Sequence, residues 1–142
     1  MAQNILDLAD AGKGGCKVIV DDTDYFSESP FQDSIIAQTV NAVTAAGVVY
    51  VSSAANSGNV DAGTSGTWEG DFHAPANLTN ALIPGHVLHE FAPGVTGNAA
   101  LSESSRVFLH WAEPYGAASN DYDLYVLDAS MSTVLASSTN TQ

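Results

Sequence analysis

Apolar and polar positions alternate with two different periods along this chain, one in each half. Near the start, Ile5, Leu6, Leu8 and Ala9 fit one face of a short helix, and Gly12, Gly14 and Gly15 stop it. The run Cys16-Lys17-Val18-Ile19-Val20 then ends abruptly in Asp21-Asp22, the pattern of a buried parallel strand with polar residues at its carboxyl end. Ser29-Pro30-Phe31-Gln32 reads as a capping box with proline in the first helical position. Phe31, Ile35, Ile36, Val40 and Val43 continue at helical spacing until Gly47, and Val48-Val49-Tyr50-Val51 follows as a second buried strand. Strand, helix and strand with short connections predict a right-handed parallel βαβ unit.

Between Asn56 and Gly70 the composition turns to Gly, Ser, Thr and Asn, and beyond it the period becomes two. Val107, Leu109 and Trp111 alternate with Arg106, Phe108 and His110, and Tyr122, Leu124 and Val126 alternate with Asp121, Asp123 and Tyr125. Shorter strands are expected at His86–Phe91 and Thr133–Ser137, and no internal repeat is found. The expected class is therefore α/β followed by all-β. Residues 1–57 form the α/β segment, 58–69 a linker, and 70–142 an antiparallel, jelly-roll-like β-sandwich cut short at its C-terminal end. One parallel strand pair cannot bury both faces by itself, so the first segment reads as a piece of a larger sheet.

Composition narrows the function. Apolar residues make up 45% of the 142, enough for a core, while 16 acidic residues face only 3 Lys and Arg. The formal charge of −13 argues against nucleic acid or an anionic membrane as partner, since both bind basic patches. It suits an extracellular or calcium-rich setting. No apolar run approaches a membrane span, and the first residues lack the pattern of a signal peptide. Cys16 is the single cysteine, so neither an internal disulfide nor a cysteine metal cluster forms.

Two stretches carry a family resemblance. Val18-Ile19-Val20-Asp21-Asp22, the amphipathic helix, and Ala46 through Asn56 together resemble the middle of the subtilisin-like serine proteases. In that family a run of small residues ends in Gly-Asn after the strand, and its Asn donates to the oxyanion; Asn56 stands in that place here, with Ala55 where the family has Gly. The resemblance makes Asp22, Thr23 and Asp24 a wall of the substrate cleft. Trp111 through Gly116 and Asp121 through Leu127 resemble the pre-peptidase C-terminal type of β-sandwich that accompanies secreted bacterial proteases. The implied parent is a secreted or cell-surface bacterial endopeptidase acting on polypeptides. The family's triad Asp and His precede the first strand seen here and its Ser follows well after the Asn, so this portion alone is expected to be inactive. A non-catalytic sandwich that binds carbohydrate, peptide or calcium is the rival reading, and a degenerate homologue that has lost its triad is a third.

Other constellations have plainer readings beside their functional ones. Gly63-Thr64-Ser65 spells the start of the family's nucleophile motif, yet lies in a Gly-rich loop with no helical run behind it. His86 and His89 are three apart, on opposite faces of a strand, and His73 and His110 have no sequence neighbour to serve as partner. Asp21, Asp22 and Asp24 at a strand end are a Mg²⁺ candidate or simply an acidic cleft rim. Asp121 and Asp123, with Asn120 and Asp128 near them, are the Ca²⁺ candidate, against a solvated strand face; no cofactor is otherwise required. Trp68, Trp111, Tyr115 and Tyr125 offer an aromatic platform, though Trp111 is in phase with the core positions. Asn77-Leu78-Thr79 spells a glycosylation acceptor. Exposed strand edges of an incomplete sheet predict pairing with a second copy.

Overall fold

The computed structural model describes residues 1–75, 78–99 and 106–141; the acceptor Asn77 lies outside them. Among the described residues the chain is mixed α/β, with two helices, one parallel strand pair, one antiparallel pair and no closed barrel. Two compact units divide it: Met1–Asn56 with Phe108–Ser119, and Ser57–Val107 with Asn120–Gln142.

In the first unit, helix α1 (Ala2–Ala9) leads into strand β1 (Val18–Asp21), helix α2 (Ile35–Ala45) and strand β2 (Val49–Ser52). β1 and β2 pair in parallel, Val18 with Val49 through Asp21 with Ser52. Ile5, Ile19, Val43 and Val48 form a small buried core, packed by Ala9, Cys16, Ile36, Val40 and Tyr50. Gly47, at φ +87, turns the chain out of α2 in the left-handed conformation that favours glycine. The opposite face of the strand pair is bare. Val18, Val20, Val49 and Val51 are 57%, 74%, 56% and 48% exposed.

The start of α2 differs from the capping-box expectation. The helix begins at Ile35 with Ser34 as its N-cap, and Ser34 makes no side-chain cap bond. The carboxylate of Glu28 takes that role from outside the helix, accepting the N–H groups of Ile36 (3.3 Å) and Ala37 (3.2 Å). A negative group at the positive end of the helix is favoured electrostatically as well. Ser29 Oγ accepts the Phe31 N–H (3.2 Å) in a local turn instead, and Phe31 is left exposed. Gln32, freed from the cap, holds the returning segment 108–119: Nε2 donates to the Glu113 carbonyl and Oε1 accepts the Tyr115 N–H, both at 2.9 Å. Phe26 stacks on Phe108 with ring centroids 4.5 Å apart.

In the second unit, strands β3 (Leu124–Leu127) and β4 (Val134–Ser138) form an antiparallel hairpin whose register shifts between Val126 and Leu127. Asp128 builds the turn. Its oxygens accept the N–H groups of Ser132 (2.7 Å) and Thr133 (3.0 Å) and the hydroxyl of Ser130 (2.7 Å). The alternating stretches 107–111 and 86–91 form no strand among the described residues. Val107, Phe108 and Leu109 are almost equally exposed, so neither face of that stretch gains the burial that would fix a strand register. Pro93-Gly94 instead turns the chain so that Ala92 bridges Val95.

Candidate functional site

Parallel pairing brings both strand ends to one edge, where open α/β sheets place their ligands. The Ser53 N–H donates to the Asp21 carbonyl (3.0 Å), which extends the ladder by one bond before the two segments leave the sheet. Asp22, Thr23 and Asp24 depart from β1 at this edge, and Ala54, Ala55 and Asn56 depart from β2; all six are exposed.

Asp21 anchors the edge. The Thr23 N–H donates to its Oδ1 (3.1 Å), while the hydroxyls of Tyr25 (2.5 Å) and Tyr50 both donate to Oδ2. Burial works to raise the Asp21 carboxyl, but the bonds from Tyr25, Tyr50 and Thr23 outweigh it and hold the group below its ordinary value. Both phenols move the other way: burial, then the hydrogen bond to the Asp21 carboxylate, pushes Tyr25 and Tyr50 up. Neither phenol is a base at neutral pH. The network is a rigid, neutral-donor cradle around one charge, and it holds the strand end from which residues 22–24 emerge.

Next to Asn56 the backbone is unusual. Ala55 has φ +60, in the left-handed region where a Cβ is crowded, and its N–H donates to Ser53 Oγ (3.4 Å). An exposed carboxamide held beside such a turn can donate to a developing oxyanion.

The remaining sequence candidates are scattered. Ser65 Oγ is occupied within its own turn, donating to the Thr67 carbonyl and accepting the Thr67 N–H, both at 3.2 Å. Gly58, at φ +79, packs so closely on this loop that a Cβ would lie 1.9 Å from the Thr64 carbonyl oxygen, so only glycine fits there. Among the described residues no three His, Cys, Asp or Glu side chains gather as a metal-binding group, whether around Asp21, Asp22 and Asp24 or around Asp121 and Asp123. Asp121 and Asp123 precede β3 rather than lying on it.

Asp123 has a different partner, which spacing did not reveal. His86 Nδ1 lies 3.2 Å from its Oδ2, and the Tyr125 hydroxyl lies 3.4 Å from His86 Nε2, a carboxylate–imidazole–phenol line. His89 instead sits among aromatic rings, edge-on to Trp68 (4.8 Å) and Phe91 (4.5 Å) and stacked on Phe72 (5.3 Å). The two histidines do not converge. His73 does have a partner, with Nδ1 3.1 Å from Glu90 Oε2. Trp111 directs its indole N–H to Glu113 Oε2 (2.9 Å).

No described helix is long and apolar enough to cross a membrane. Comparison with protein families, with curated proteins and with solved structures finds no match to this chain.

Proposed function

We propose that the chain is a portion of a secreted, subtilisin-like serine endopeptidase, with Asn56 as oxyanion donor and Asp22, Thr23 and Asp24 as a wall of the cleft that holds a polypeptide substrate. The observation that carries this reading is the shared strand edge: residues 22–24 and 53–56 leave the same end of a parallel pair, and Asn56 follows a left-handed turn at Ala55. A left-handed residue before the Asn is the backbone that a Gly-Asn sequence would supply at no steric cost. The bare face of Val18, Val20, Val49 and Val51 fits the same reading, because parallel pairs are stable when helices or further strands cover both faces. The hairpin of β3 and β4 belongs, in this proposal, to the accompanying β-sandwich.

The reaction is acyl transfer. A Ser from another part of the longer chain attacks the peptide carbonyl, a His takes its proton and returns it to the leaving amine, and the Asn56 amide donates to the oxyanion. Residues 22–24 line the extended substrate beside it.

The test compares peptide hydrolysis by this chain with hydrolysis by a chain extended on both sides, each with and without Asn56→Ala. Activity in the extended chain alone, reduced about a hundred- to thousand-fold by Asn56→Ala, is the expected result. An extended chain that folds and cuts no peptide overturns it and favours the non-catalytic binding module, for which calcium titration of Asp121→Asn and Asp123→Asn variants is the next measurement.

A further inference from the structure

Under the carboxyl edge of β1 lies a cavity of about 150 Å³ whose wall includes Ile5 and Leu8 of α1, Ile19, Asp21, Tyr25 and Tyr50. That is the room of about five water molecules. Met1, Asn4 and Val20 complete the wall, so hydrocarbon from α1 and Ile19 meets one carboxylate, two phenols and the carboxamide of Asn4.

Among the described residues no cationic group forms an ion pair with Asp21. Lys13 pairs with Asp7, and the imidazoles of His73 and His86 lie against Glu90 and Asp123. Asp21 is held by neutral donors only, and a carboxylate with one N–H on Oδ1 keeps accepting capacity on that oxygen. A ligand that satisfies every part of this wall is cationic at one end, donates hydrogen bonds there, and is a short hydrocarbon otherwise.

We propose that this cavity is a binding site for a small primary alkylammonium ion, of the size of n-butylammonium, with its nitrogen at Asp21 and its chain against Ile5, Leu8 and Ile19. This proposal does not rest on Asn56 or on peptide hydrolysis. The volume is large enough for the whole ion.

The experiment is a titration of the ¹⁵N-labelled chain with n-butylammonium chloride at constant ionic strength, followed by amide shifts. Parallel titrations use n-butanol and Nα-acetyl-lysine N-methylamide. The expected result is saturable shifts at Ile5, Leu8, Ile19 and Asp21 with a Kd on the order of 1–10 mM, the range open to a ligand of so few atoms. n-Butanol binds at least tenfold more weakly, Asp21→Asn loses at least tenfold, and Asp61→Asn, at an exposed carboxylate of the second unit, leaves binding unchanged. Leu8→Trp fills the cavity from the helix side and loses binding with the carboxylate intact, so the test survives if Asp21→Asn does not fold. Equal binding of n-butanol, shifts that never saturate, or full binding by Leu8→Trp or by folded Asp21→Asn overturns the proposal. Tighter binding of the lysine derivative overturns the assignment to a free amine.

Discussion

The side chain of Gln32 grips the backbone 81 residues further along, donating from Nε2 to the carbonyl of Glu113 at 2.9 Å. Its Oε1 accepts the Tyr115 N–H at the same distance, so one amide holds the segment 108–119 in the first unit by two bonds. Gln32→Ala removes both and leaves two backbone groups to find water. We expect a loss of about 1–2 kcal/mol in urea unfolding. Faster hydrogen exchange at the Tyr115 amide is expected with it. Unchanged exchange there would show that the Phe26–Phe108 stack alone holds the segment.

Ala55 tests the backbone beside Asn56. A left-handed alanine carries roughly 1–2 kcal/mol of strain, and replacing it with glycine gives back about 0.4–1 kcal/mol through the freer unfolded chain. Ala55→Gly is therefore expected to stabilise by about 0.5–1 kcal/mol, and Ala55→Val, with a branched Cβ, to destabilise. Thermal unfolding of the two variants decides it; a valine variant as stable as the parent would contradict the positive φ.

Asp128 makes the β3–β4 turn sensitive to acid. The Ser130 hydroxyl, followed by the Ser132 and Thr133 N–H groups, lowers its carboxyl from 3.8 to about 2. Because the folded value is depressed, the carboxylate favours the folded turn fully above about pH 4, and that preference is lost as pH falls through 2. Amide shifts of Ser132 and Thr133 followed against pH should show a midpoint near 2. Asp128→Asn should abolish that transition.

Tyr50 provides the alkaline counterpart. Burial and the Asp21 carboxylate raise its phenol, so the neutral phenol favours folding below about pH 10, and this contribution is lost as pH rises through the higher folded value. Absorbance titration should show the Tyr50 phenol ionising well above the ordinary phenol range. Tyr50→Phe should remove one late-titrating group and raise the Asp21 pKa, read by its carboxyl carbon shift.

The four-valine face of β1 and β2, with the unpaired edges of the pair, invites association, while a charge of −13 on every copy opposes it. Salt screens the repulsion but not the apolar contact. Light scattering should therefore give a higher mass at 0.5 M than at 0.05 M NaCl, and Val20→Lys should reverse the change. A monomer at both concentrations would rule the association out.

Sequence alone determined the local elements of the first unit. Helical spacing of Ile35, Ile36, Val40 and Val43 and the glycine at 47 are short-range signals, and both the βαβ order and the parallel pairing follow from them. It also marked the carboxyl edge, since Asp21 and Asp22 interrupt an apolar run. Which groups meet there depends on contacts distant in the chain. Tyr50 reaches Asp21 from the neighbouring strand, Glu28 displaces the Ser29–Gln32 cap, and His86 finds Asp123 from 37 residues away. None of these has a period or spacing to read. At 107–111, nearly all of it in the first unit, alternation predicted a strand where none forms among the described residues. Alternation reports that a stretch fits a half-buried sheet, but a strand exists only where a partner supplies its hydrogen bonds, and that is a property of the whole fold.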